Sequence, residues 1–190
     1  MTNKVGALIL AAGFSHRFGS VKLDAKLNNG ETVFAQTLRR VGAAIPNYKV
    51  VTRPELMELL RPTESQLNAY DRAEEGMGAS LAYGISLVSE WQACLVCLAD
   101  MPFIEVATYR QLAESLQQDN IVIPFHGEQA GNPVGFGRKF YSDLSRLKGD
   151  AGGRAVVKAN PEAVISINTE DAAILYDIDT PADLDKYQSR

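Results

Sequence analysis

The chain has 190 residues, 46% of them hydrophobic and 22% charged, which is the balance of an ordinary soluble globular protein and not of a disordered or fibrous one. Nineteen lysines and arginines against 23 aspartates and glutamates leave a net charge of −4, which argues against a nucleic-acid partner. The length suits one domain over residues 1–190. No apolar stretch approaches the roughly 18 residues of a membrane span, and no signal-peptide layout is present, so a cytoplasmic protein without a membrane partner is expected.

In chain order, Val5 to Ala11 is short, continuous and apolar, which predicts a central parallel strand covered on both faces. A glycine-rich segment, "GFSHRFGSVK", follows directly. Val33, Phe34, Leu38, Val41 and Ile45 recur at helical spacing and predict a first crossover helix. "YKVVT" reads as a second strand, and Pro54 starts a helix through "PELMELL". A helix from near Gly78 through Leu81, Ile85 and Val88 leads into the strand "ACLVCLA", which ends at Asp100. Another helix is expected between Ile104 and Gln118.

The second half is less regular. "NIVIP" predicts a short strand and "GNPVGF" an extended segment, while "RKFYSDLSRL" and "GGRAVVKAN" predict short helices. "AVISIN" and "AILYDID" are further strand candidates. "TPADLDKY" reads as a helix capped by Thr180, with Pro181 at its first position and Asp183 completing the capping pattern. The alternation predicts an α/β fold, a three-layer α/β/α sandwich with a mostly parallel mixed sheet of Rossmann-like type. Ligands are then expected where the strand carboxyl ends open into loops.

The two cysteines, Cys94 and Cys97, have CxxC spacing but lie inside an apolar strand. Residues three apart in a strand point to opposite faces, so neither a disulfide nor a shared metal is expected.

Three segments carry chemistry. In the opening loop, Gly13 and Gly19 let the backbone approach a ligand closely, and Arg17 and Lys22 add positive charge, so phosphate binding is expected. The spacing matches neither the P-loop nor the dinucleotide fingerprint. In "CLADMP", Asp100 sits at a strand end, where Mg²⁺ bridging phosphate oxygens can be held; its competing role is capping the helix that follows. In "YDIDTP", Asp177 and Asp179 could complete that metal site, and the residues leave open which of the two does so. Gly76, Gly78 and Ser80 suit a nucleobase or ribose contact or a plain helix start. Asn132, Asp150 and Arg154 lie in glycine-rich surroundings that suit tight turns or an acceptor rim.

Together "LAAGFSHRFGSVK", "LADMP", "GNPVGF", "GDAGGR" and "DIDTPADL" resemble, in that order and over essentially the whole chain, the molybdenum cofactor nucleotidylyltransferases. These are MobA-like NTP transferases of the nucleotide-diphosphosugar transferase fold, and the resemblance is to their cytidylyltransferase branch. It implies attack of the terminal phosphate of molybdopterin on the α-phosphorus of a nucleoside triphosphate, releasing pyrophosphate, with Mg²⁺ as cofactor. It further implies CTP over GTP, because Ala12 gives LAAG where the guanylyl branch has LAGG. Phe18 stands where the motif usually has Met.

The roles it implies are nucleotide contacts from Leu10, Ala11, Ala12, Gly13, Ser15, Arg17, Lys22, Gly78, Ser80 and Asp100. Acceptor contacts come from Asn132, Asp150 and Arg154, metal ligation from Asp100 with Asp177 or Asp179, and catalysis from Arg17, Lys22 and Asp100. A cofactor-receiving molybdoenzyme is a further implied partner. The alternatives are a guanylyltransferase, a transferase acting on a sugar or alcohol phosphate, and a nucleotide-binding accessory protein without turnover.

Overall fold

The computed structural model describes residues 5–60 and 66–189. Its centre is an eight-stranded sheet in the order β3-β2-β1-β4-β7-β5-β6, with β8 also pairing β5. The strands are β1 (Val5–Ala11), β2 (Tyr48–Thr52), β3 (Leu67–Ala69), β4 (Ala93–Leu98), β5 (Ile121–His126), β6 (Gln129–Ala130), β7 (Val134–Gly137) and β8 (Val164–Asn168). β1, β2, β3 and β4 run parallel, as do β5 and β8, whereas β7 is antiparallel to both β4 and β5. The sheet is therefore mixed, as the irregular second half of the sequence suggests.

β1 sits between β2 and β4, which explains its unbroken apolar run. Ala7, Ile9 and Ala11 enter one hydrophobic core and Leu8 enters the other, on the opposite face. The cysteines divide in the same way, Cys97 in the first core and Cys94 in the second. Burial pushes the Cys94 thiol up to about 12 and raises Cys97 as well, so both are packing residues.

The helices are α1 (Val33–Ala44), α2 (Met57–Leu60), α3 (Met77–Leu87), α4 (Val106–Ser115), α5 (Tyr141–Leu144), α6 (Arg154–Ala159) and α7 (Pro181–Gln188). α1 starts where Thr32 accepts a hydrogen bond from the Ala35 amide. Its apolar stripe of Val33, Phe34, Leu38 and Val41 is buried. Its polar face also has work: Gln36 donates to the Pro102 carbonyl, and Arg40 donates to the carbonyls of Phe103 and Ile104. Those bonds fix the turn after Asp100, whose backbone groups would otherwise be left without partners.

One strand expectation fails. "AILYDID" contains a 3₁₀ turn at Ala172–Leu175, not a strand. Asp171 caps this turn through the Ala173 amide and also accepts from Glu105 N–H and Thr108 O–H at the start of α4. A short apolar run suits a buried turn as well as a strand, and the capping aspartate decides between them here. The short pairing of β3 beside β2 has no clear periodic signal and is absent from the sequence reading.

At the other end, α7 has a full capping box, in which the Thr180 hydroxyl accepts from the Asp183 amide and Asp183 accepts from the Thr180 amide. Thr180→Ala is expected to cost about 1 kcal/mol of stability, measurable as a lower urea midpoint with an unchanged slope.

Candidate active site

The loop after β1 is built by local chemistry. Ser15 and Gly19 both have positive φ, 55° and 80°, which turns the chain sharply twice. The Ser15 carbonyl accepts from the Phe18 amide, and the Ser15 hydroxyl accepts from the Lys22 amide at 3.4 Å. Phe18 packs against the first core. The large apolar residue at this motif position thus anchors the loop although it is not Met.

These turns aim Lys22 at the carboxyl ends of β1 and β4. Its Nζ lies 2.6 Å from Asp100 Oδ2 and 3.1 Å from Asp179 Oδ1, and Arg17 reaches Asp179 Oδ2 at 2.6 Å. Asp100 is held in place because β4 lies beside β1, with the Ala99 amide donating to the Leu10 carbonyl. It does not cap α4, whose N-terminus is served by Asp171. The Asp100 carbonyl accepts from the Ile178 amide at 3.0 Å, which draws the segment from Asp177 to Asp179 into the site.

Burial alone would lower the Lys22 pKa, but Asp100 and Asp179 raise it above its ordinary value, so Lys22 is a firmly held cation. Asp177 behaves in the opposite sense. Burial, with added repulsion from Asp100 and Asp179, lifts its carboxyl above the usual range.

Around this cluster lies a cavity of about 550 Å³, within the usual range for small-molecule sites. Of the residues expected to contact nucleotide, Leu10, Ala11, Ala12, Gly13, Arg17, Lys22, Ser80 and Asp100 line it. Ser15 and Gly78 do not. Ser15 shapes the loop from behind, and Gly78 is buried with its amide donating to the Gly149 carbonyl at 2.7 Å. A Cβ at Gly76 would meet the Gly149 backbone at 2.5 Å, so glycine there lets the Lys148–Gly153 segment close one wall.

Asp150 lines the cavity from that wall and accepts from the Met77 amide at 3.4 Å. Asn132 and Arg154 are not brought to it: Asn132 precedes a cis proline and donates to the Ile174 carbonyl, and Arg154 is exposed at the start of α6. Phe14, His16, Ala73, Glu74 and Met77 line the cavity without having been expected there. Phe14 and His16 lie inside the singled-out loop, where nothing but their type marked them.

Asp177 and Asp179 also line the cavity. Among the described residues, no three His, Cys, Asp or Glu side chains are grouped to hold a metal by themselves. Mg²⁺ needs less from the protein, one or two carboxylates plus phosphate oxygens and water. Asp100 Oδ1 is buried with no hydrogen-bond partner, an unpaired acceptor in a low-dielectric site that suits a hard cation. The donor set fits such an ion.

This fold is shared with Rv0371c from Mycobacterium tuberculosis H37Rv, with a TM-score of 0.87 and 22% identity over 100% of both chains. A structure of Rv0371C in complex with manganese gives 0.81 and 22%, covering 98% of this chain and 99% of that one. The same fold occurs in a nucleotidyl transferase from Methanothermobacter thermautotroptrophicus, with a TM-score of 0.84, 23% identity and coverage of 98% of this chain and 97% of that one.

Residues 7–164 match the MobA-like NTP transferase domain, and the chain belongs to that family of nucleotidyltransferases. A curated relative, a probable molybdenum cofactor guanylyltransferase from Geobacillus sp. (strain WCH70), is 30% identical over 117 residues, 59% of this chain. The match spans 58% of that relative's length.

The raised Asp177 pKa makes a pH prediction. A carboxyl that holds its proton more tightly when folded contributes stability below its unfolded pKa, and that contribution is lost as the pH rises through the folded value. Asp177→Asn should therefore raise the melting temperature at pH 7 in the presence of a chelator. The gain should vanish in acid, below the ordinary aspartate range, in parallel thermal melts.

Proposed function

We propose that the protein transfers CMP from CTP to the terminal phosphate of a molybdopterin-type acceptor, with Mg²⁺ as cofactor and pyrophosphate as the second product. The observation that carries this reading is the Lys22 ammonium held between Asp100 and Asp179, with Arg17 on Asp179, at the floor of the cavity. Two cations face three carboxylates, counting Asp177. A triphosphate added to that balance needs further positive charge, and Asp100 with Asp177 would hold Mg²⁺ to supply it. Asp179 is committed through both oxygens to Lys22 and Arg17.

In the reaction, an acceptor phosphate oxygen forms a bond to the α-phosphorus, and the bond from that phosphorus to the β-bridging oxygen breaks. The chain supplies position and charge, and a nucleophilic side chain is unnecessary. Arg17 exchanges its carboxylate partner for phosphate oxygens while Lys22 meets them from its fixed place between Asp100 and Asp179, and both stabilise the charge that grows on departing pyrophosphate. Ala12 is buried in the second core and lines the cavity. Alanine rather than glycine at this position is the feature by which the chain resembles the cytidylyl branch, and a methyl group there would hinder a purine by contact, which supports a pyrimidine. Asp150 stands on the rim that the acceptor would approach.

GTP is the second reading, because the curated relative is named a guanylyltransferase. Pyrophosphate release measured with CTP and with GTP, with and without molybdenum cofactor, tests both. Release with CTP that requires the acceptor is expected, and Asp100→Asn should abolish it; release with GTP alone would assign guanylyl transfer. Arg17→Ala should lower the turnover rate on the order of 10²- to 10³-fold, the loss typical of one charge-stabilising donor.

A further inference from the structure

Two side chains that line the cavity, and a third packed on one of them, take no part in handling phosphate. Phe14 and His16 both line the cavity and are exposed, and their rings stack with centroids 5.7 Å apart and planes 11° apart. The left-handed Ser15 between them, with φ 55°, turns the chain so that the two side chains meet. Arg53, the first residue after β2, lays its guanidinium over the Phe14 ring, 4.7 Å from the centroid.

Arg53 is poorly supplied with other partners. Its side chain is only 15% exposed, its contact with Glu55 is long at 3.5 Å, and its Nε is buried without a hydrogen bond. Removing a guanidinium from water is unfavourable unless something offsets it, and here the face of Phe14 does so. The ring it holds in place remains 39% exposed. A fixed, open aromatic surface at the edge of a cavity is a place for another planar group.

We infer that Phe14 and His16 form a ledge for a planar nitrogen heteroaromatic ring of the substrate, with Arg53 as a positioning residue that acts through Phe14. The inference rests on the nucleotidyl-transfer reading above, whose nucleobase and pterin are both rings of this class. Because β1 lies between β2 and β4, Arg53 and Asp100 approach the β1 loop from opposite sides. Phe14, His16, Lys22 and Asp100 line the same cavity, so a nucleotide with its base against the exposed rings of the ledge would direct its phosphates toward Lys22 and Asp100.

The test compares the binding of CTP with that of inorganic tripolyphosphate, both with Mg²⁺, by calorimetry. Phe14→Ala should weaken CTP on the order of tenfold, the loss expected for a truncated stacking ring, and leave tripolyphosphate unchanged. Phe14→Trp should restore CTP binding, and Arg53→Ala should reproduce part of the loss with the same selectivity. If CTP binding is unchanged but the KM for the acceptor rises about as much at constant kcat, the ledge stands and its ring is the acceptor's. Equal loss of CTP and tripolyphosphate, or no change in either CTP binding or acceptor KM, overturns it. Failure of the unmodified protein to bind CTP and tripolyphosphate would instead overturn the nucleotidyl-transfer reading itself.

Discussion

The site depends on one charged group being kept out of bulk water. Lys22 and Asp100 are 13% and 15% exposed at their side chains and 2.6 Å apart, and a half-buried ion of either sign is tolerated only when it is paired. The partners come from distant parts of the chain, 78 residues away for Asp100 and 157 for Asp179. That pairing needs β1 beside β4 and the Asp100 carbonyl bonded to Ile178. α1 contributes from the other side by holding the carbonyls of Pro102, Phe103 and Ile104.

The two cations are held with different strength, which suits the tasks proposed for them. Arg17 is 74% exposed in its pair with Asp179, and exposed pairs contribute little net energy. It can change partners readily. Lys22 is buried between two carboxylates and fixed at its backbone by Ser15, so it is a preorganised charge in a low-dielectric floor. One movable and one fixed donor would let the triphosphate of the proposed reaction enter without dismantling the loop.

Much of the fold is legible because strand and helix leave different hydrophobic periods. The run from Val5 to Ala11 and the stripe of Val33, Phe34, Leu38 and Val41 are signals of burial, and both elements form where the pattern places them. The segment after Asp171 shows the limit of that reasoning. Its apolar residues are buried, as the pattern implies, but a carboxylate that also serves α4 winds them into a turn. Asn132 and Arg154 are a similar case, since glycine-rich surroundings mark turns wherever they occur and do not say which turns face the cavity.

The charged loop was legible for a different reason. Glycines, a serine, Arg17 and Lys22 directly after a buried strand mark a cation-rich loop by chemistry alone, and the structure places both cations at the cavity. Phe14 and His16 were not legible as lining residues, because an aromatic in a loop carries no direction until the left-handed Ser15 and the guanidinium of Arg53 give it one.

By itself, then, the sequence determined the alternation of strands and helices, the cation-rich loop, the strand-end Asp100 and the capped start of α7. Each is a local pattern that short-range sterics, hydrogen bonding and burial period suffice to specify. Tertiary structure alone decided which charges meet: that Asp179 is committed to Lys22 and Arg17, that Asp100 keeps one oxygen free, and that Asp150 reaches the cavity while Arg154 does not. Those outcomes turn on strand order and on single hydrogen bonds between distant segments, for which a linear pattern carries no signal.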